Sequence, residues 1–93
     1  IIHYFYYKIN IMMILPYAVY ILKCNDNTYY TGFSSDIMNR LKSHHSGEVK
    51  YTKSRLPVEL THLTYYKEKQ KAYDFERYLK TGSGIAFRNK RFL

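Results

Sequence analysis

Cysteine is almost missing from this chain. Cys24 stands alone, so no internal disulfide framework and no multi-cysteine metal knuckle can form. A reducing interior suits such a chain, and the expected location is cytoplasmic. Acidic residues are also scarce. Seven Asp and Glu face 15 Lys and Arg, a formal charge of +8, which calls for an anionic partner, nucleic acid ahead of an acidic membrane surface. Glu76 is the last acid, and Arg77, Lys80, Arg88, Lys90 and Arg91 follow it; the alternative is a solvated basic tail with no specific partner. Long apolar runs are missing too. Ile9 to Leu22 comes nearest, but Asn10 and Pro16 interrupt it, and it falls short of the roughly 20 residues that span a bilayer. No basic segment leads into a small-residue cleavage site, so neither a membrane nor a targeting signal is expected.

What is present fits one small domain. Ninety-three residues hide only about 60 to 65% of the surface their unfolded chain exposes, so the core must be thin. Neither an internal repeat nor a low-complexity linker marks a second domain. Residues 1–16 are expected to be an N-terminal extension of unknown role, with Met12 or Met13 as an alternative start, and residues 17–93 the domain itself.

The domain begins with a predicted hairpin. Tyr17 to Cys24 and Tyr29 to Phe33 are rich in β-branched and aromatic residues, and Asn25-Asp26-Asn27-Thr28 between them is turn chemistry. Tyr20 and Tyr30 share a face only if paired residues sum to an even number, for example Cys24 opposite Tyr30 across a five-residue loop. Ser34-Ser35-Asp36 then offers an N-cap, and a helix runs to Gly47, which suits a left-handed C-terminal cap. Its apolar stripe is Ile37 and Leu41; Arg40 and His44, four apart, fall beside that stripe on one face.

Glu48 to Pro57 reads as an exposed loop with Lys50, Lys53 and Arg55 around Tyr51, able to hold phosphates and stack on a base, unless Tyr51 folds back on the body. Val58 to Tyr66 alternates as a third strand, with Val58, Leu60, His62 and Thr64 on one face; His62 has no second ligand nearby and is expected to be structural or at the surface. Lys69 to Thr81 is a second helix closed by Gly82, with a stripe of Ala72, Phe75 and Leu79. Glu76 lies inside that stripe, where a carboxylate needs either a cation, with Arg40 as a candidate, or a metal ion. Gly82-Ser83-Gly84 reads as a flexible joint before a last short helix, with Ser83 as a possible N-cap; that helix carries Arg88, Asn89, Lys90 and Arg91. The expected fold is α+β: a small three-stranded antiparallel sheet flanked by helices, in the order β-β-α-β-α-α.

Taken in order, these residues resemble the GIY-YIG endonuclease superfamily, in particular its small stand-alone bacterial members, relatives of the nuclease domain of the bacterial excinuclease and of structure-specific resolvase nucleases. Ala18-Val19-Tyr20 stands for Gly-Ile-Tyr, and Tyr30-Thr31-Gly32 for Tyr-Ile-Gly. Arg40-Leu-Lys-Ser-His44 with Gly47 resembles the Arg-x-x-x-His helix motif, Tyr51-Thr52 and Arg55-x-Pro57-Val-Glu59-Leu60 look like the small bacterial members, and Glu76 falls at the metal-binding glutamate. Asn89 lies near a late asparagine of some members. There are two departures: Ala18 replaces a glycine, and Phe33 replaces a lysine that would contact phosphate.

The resemblance implies hydrolysis of DNA phosphodiesters, structure-specific or related to repair and recombination, with one Mg²⁺ or Mn²⁺ on Glu76. It implies catalytic roles for Tyr20, Tyr30, Arg40, His44 and Glu76, with Tyr20 as general base or as the group that positions the attacking water; a base role needs a lowered phenol pKa, and Arg40 and the metal act in that direction. Branched, flapped or damaged DNA and a larger protein partner are the expected associates. Two alternatives use the same surface: a nucleic-acid binding module without catalysis, with Lys50, Tyr51, Lys53, Arg55, Arg88, Asn89, Lys90 and Arg91 as contacts, and a small structural protein whose basic face docks on an acidic partner.

Overall fold

The computed structural model describes residues 14–93, so most of the expected N-terminal extension lies outside the described residues. Strands β1 (Tyr17–Lys23), β2 (Tyr29–Ser34) and β3 (Glu59–Tyr66) form a three-stranded antiparallel sheet in the order β2-β1-β3. The helices are α1 (Ile37–His45), α2 (Lys50–Lys53), α3 (Lys69–Leu79) and α4 (Gly82–Arg91). The expected element order is found, with the four-residue α2 added in the segment expected as loop. None of the described helices is long and apolar enough to cross a membrane.

The core has two halves because β1 is the middle strand and buries both faces. Ala18, Tyr20 and Leu22 pack with Cys24, Ile37 and Val58 on one side, where Tyr30, Leu41, Leu63 and Tyr65 join them. Val19 and Ile21 pack with Ala72 and Leu79 on the other, backed by Phe33, Phe75 and Phe92. Each Val, Leu or Ile among them contributes about 1.5–3 kcal/mol when removed from water, and the uninterrupted apolar run of β1 reflects this double burial.

The hairpin register pairs Tyr20 with Gly32, Leu22 with Tyr30 and Lys23 with Tyr29. The sums are even and the loop, Cys24 to Thr28, has five residues, so Tyr20 and Tyr30 do share a face. The closing pair is Lys23–Tyr29 rather than Cys24–Tyr30. Cys24 spends its backbone inside the turn, donating to the Thr28 carbonyl at 2.8 Å and accepting from Asn27 N at 3.0 Å, while Asn27 takes the left-handed conformation (φ 65°).

Strict alternation fails in β3. Ile21 faces His62 but Leu22 faces Leu60, so a bulge at Thr61 shifts the pattern by one residue. Its hydroxyl bonds the Ile21 carbonyl at 3.1 Å. Val58 therefore joins the Tyr20 side of the core, whereas His62 stacks on Phe92 at 3.6 Å on the other.

Helix ends follow their caps. Asp36 accepts from Asn39 N at the start of α1, and Gly47, at φ 78°, lies just past the end of α1. The second predicted helix stops at Leu79, earlier than expected, because Thr81 caps the next helix by accepting from Gly84 N at 3.1 Å. Gly82-Ser83-Gly84 is thus the first turn of α4 and not a flexible joint, and Thr81, not Ser83, is its cap. Gly84 is buried, and a Cβ there would lie 1.7 Å from the Tyr78 carbonyl oxygen; only glycine lets α4 seat this closely on the end of α3.

Candidate active site

Strand β1 delivers Tyr20 to the sheet face covered by α1, where it is fully buried. Its ring lies over Gly32, the residue opposite it in β2: a Cβ on Gly32 would come within 2.4 Å of Tyr20 Cζ. The glycine of Tyr30-Thr31-Gly32 is therefore the floor on which the tyrosine of the first strand rests.

Helix α1 brings Arg40 and His44 to that phenol, one turn apart. His44 Nε2 lies 2.8 Å from Tyr20 Oη, and Arg40 Nε donates to the same oxygen at 3.3 Å. Arg40 Nη2 reaches Tyr30 Oη at 3.5 Å, and the Tyr30 ring sits edge-on to His44, with centroids 4.9 Å apart. His44 is also fully buried, and its other nitrogen, Nδ1, meets Thr52 Oγ1 at 2.8 Å. Four of the five expected catalytic side chains thus form one hydrogen-bonded cluster.

The electrostatics of the cluster favour neutral rings around one cation. Burial pushes the Tyr20 phenol up to about 12, outweighing the lowering by its hydrogen bond from Arg40. Arg40 alone therefore does not lower the phenol: desolvation of a phenolate in a buried site costs more than one guanidinium at hydrogen-bond distance returns, and the lowering expected of Arg40 acting with a metal ion would have to come from the ion. His44 is pulled down to about 4, first by burial and then by the Arg40 charge. Arg40 itself has no carboxylate partner among the described residues.

A groove of about 320 Å³ opens beside Tyr30 of this cluster, at β2, an outer strand of the described sheet. Tyr30, Thr31 and Tyr51 line it from one side; Leu79, Lys80, Ile85 and Arg88 line it from the other. Glu76 stands one turn before Lys80 on α3 with its side chain 15% exposed. Its cation is Lys80, at 3.0 Å from Oε2, and not Arg40: α3 packs on the opposite side of the sheet from α1, and an i, i+4 lysine is nearer. The described residues hold no group of three or more metal-binding side chains. A lone carboxylate is nevertheless the donor set that Mg²⁺ accepts when waters and phosphate oxygens complete its shell.

The other expected contacts are divided. Lys50 and Lys53 are exposed on α2, and Tyr51 packs against Tyr30 at 5.5 Å. Arg55 is already engaged, paired with Asp26 at 3.0 Å and stacked on Tyr51 at 4.1 Å. Arg88 lies 5.2 Å over the Tyr29 ring and donates to Asn89 Oδ1 at 3.1 Å; Lys90 and Arg91 are exposed beyond it. Sequence reasoning missed Thr52, which is fully buried in a segment that its composition presents as an exposed loop. The Tyr51-Thr52 pair carries a signal, but spacing alone names no partner for it.

With this geometry in hand, comparison with known proteins is decisive. The GIY-YIG catalytic domain matches residues 16–88. The chain belongs to the GIY-YIG family. Its relatives include a UPF0213 protein of Streptococcus agalactiae, 40% identical over 70 residues that cover 74% of this chain and 80% of the relative. The UPF0213 protein YazA of Bacillus subtilis is 42% identical over 62 residues, 66% of this chain and 63% of its own length. The solution NMR structure of a UPF0213 protein from Bacillus halodurans matches with a TM-score of 0.52 at 32% identity, covering 80% of this chain and 82% of that one. Membership of this nuclease family gives the Tyr20, Tyr30, Arg40 and His44 cluster a chemical context.

Proposed function

We propose that this protein is a divalent-metal-dependent endonuclease that hydrolyses phosphodiester bonds in DNA. The observation that carries the reading is Arg40, a guanidinium held in place by two phenols and free of any carboxylate among the described residues. Such a cation at the mouth of a buried neutral cluster is a receptor for a phosphate.

In this reading Arg40 clamps the scissile phosphate and Tyr30 helps to hold the guanidinium. Tyr20 gives its phenolic proton to His44 Nε2 and takes one from the attacking water. The water oxygen then bonds to phosphorus as the bond to the leaving oxygen breaks, and solvent protonates that oxygen. A phenol at about 12 beside an imidazole at about 4 keeps both groups neutral at rest, so Tyr20 relays the proton, gaining one from water as it gives one up, and does not rest as a phenolate. Glu76 would hold the Mg²⁺ or Mn²⁺, releasing Lys80 toward the groove; when bound, such an ion supplies Lewis-acid stabilisation of the phosphate charge. Lys50, Lys53, Arg88, Lys90 and Arg91 contact flanking phosphates, and Tyr51 stacks on a base. Branched or flapped DNA is the favoured substrate, and a larger partner supplies specificity, since so small a domain has little surface with which to read bases.

The test is cleavage of a panel of duplex, branched, flapped and single-stranded DNA with Mg²⁺ and with Mn²⁺, beside Glu76→Ala. Ion-dependent cutting that the variant lacks supports the reading. Salt-sensitive binding without cutting of any substrate transfers the surface to a non-catalytic binding module.

A further inference from the structure

His44 is neutral around pH 7 and so carries one ring proton, yet both of its nitrogens sit 2.8 Å from a hydroxyl, Tyr20 Oη at Nε2 and Thr52 Oγ1 at Nδ1. Each hydroxyl can donate or accept, so the bonds next along the chain decide the direction. Arg40 Nε is only a donor and gives its hydrogen to Tyr20 Oη. Thr52 Oγ1 also contacts the Val49 carbonyl, which is only an acceptor, at 3.5 Å. If Nδ1 carries the proton, four hydrogens serve four contacts: Arg40 to Tyr20, Tyr20 to His44 Nε2, His44 Nδ1 to Thr52, and Thr52 to Val49. If Nε2 carries it, Thr52 must turn its hydrogen toward Nδ1 and abandon Val49, and Tyr20 Oη receives two donors. Only the first arrangement uses every contact.

We propose that Thr52 is a positioning residue whose hydroxyl holds the Nδ1–H tautomer of His44 and thereby leaves the Nε2 lone pair as the acceptor of the Tyr20 proton. Thr52 touches neither substrate nor the reacting atoms; it acts through His44, as the buried carboxylate of a Ser-His-Asp triad acts through its histidine, though a neutral hydroxyl orients the ring without adding charge. It is fixed for this work because α2 packs it out of solvent, fully buried. The inference rests on the nuclease reading for its catalytic consequence, and on hydrogen bonding alone for the tautomer.

The test joins nitrogen NMR of the labelled full chain, which reports which ring nitrogen of His44 is protonated, with cleavage kinetics of the wild type, Thr52→Val and Thr52→Ser. Valine keeps the shape and removes the hydroxyl; serine restores the hydroxyl. The expected result is an Nδ1–H tautomer in the wild type and in Thr52→Ser. In Thr52→Val a mixed or Nε2–H tautomer should accompany a fall in kcat of about tenfold or more with KM little changed, and serine should restore kcat. An Nε2–H tautomer in the wild type overturns the proposal without any variant having to fold. So does Thr52→Val that keeps the Nδ1–H form and full kcat. A wild type that cuts nothing overturns the nuclease reading separately, because the tautomer spectrum still upholds or rejects the assignment of Thr52.

Discussion

Tyr20 Oη and His44 Nε2 meet at 2.8 Å inside the protein, both side chains fully buried. The bond joins the central strand to the first helix, so one contact serves the packing of the fold and the proposed proton path. Stability and cleavage should therefore both respond when it is broken.

Tyr20→Phe keeps the ring over Gly32 and removes only the oxygen. Cleavage should fall roughly 10²–10⁴-fold, the range for losing a positioned acid or base. Stability should drop by about 1–3 kcal/mol because His44 Nε2 is left buried without a partner. Nicking assays with a urea melt separate the two effects, and full cleavage by the variant rejects Tyr20 as the base.

Glu76→Ala should abolish ion-dependent cleavage and leave the fold intact. Its partner Lys80 is more than half exposed, and an i, i+4 helix pair with one end in solvent contributes only about 0.3–0.5 kcal/mol. Calorimetric titration with Mn²⁺ should show binding to the wild type that the variant lacks; unchanged binding places the ion elsewhere.

Three glycines form an internal series. Alanine at Gly82 meets nothing within 4 Å and should stabilise α4 or leave it unchanged, since alanine is the better helix former by about 1 kcal/mol. Alanine at Gly32 meets the buried ring of Tyr20, a side chain and not backbone, and should cost about 1–3 kcal/mol together with most of the activity. At Gly84 the obstacle is backbone, so that variant should be the least stable. Urea midpoints in the order Gly82, Gly32, Gly84 check the packing directly.

Stability should decline in mild acid. His44 titrates near 4 in the folded chain against 6.5 for a free imidazole. Between those values the unfolded chain binds a proton that the folded chain does not, so stability is lost as pH falls from about 6.5 toward 4. The loss from this residue is on the order of 3 kcal/mol. Burial lowers His62 as well, so His44→Gln should flatten the profile in part and the double variant with His62→Gln further. An unchanged slope in His44→Gln places the proton elsewhere.

Lys90→Ala tests the basic tail. Its side chain is exposed and takes part in no hydrogen bond or ion pair found among the described residues, so binding should weaken about equally for all DNA sequences. The salt slope of log K should fall by about 1, measured by fluorescence anisotropy from low to moderate salt.

Much of this is legible in the chain itself, because it depends on local spacing. Arg40 and His44 share a face at any helical i, i+4 separation, and the apolar run of β1 between turn residues declares a strand. That Tyr20 and Tyr30 share a face only for an odd loop is also legible, though the loop length itself comes from the register. Other features are decided only in three dimensions. The closing pair of the hairpin depends on how Cys24 uses its backbone within the turn, and the bulge at Thr61 reassigns faces that strict alternation would keep.

Glu76 takes Lys80 instead of Arg40 because the sheet lies between α3 and α1, a separation that no periodicity records. Thr52 looks like one more polar residue in a basic loop until α2 buries it against His44. The ordered residue types thus determined the family and the cast of side chains, Thr52 excepted. Tertiary packing alone decided which of them touch, because burial and the sheet between α1 and α3 set the distances that spacing along the chain leaves open.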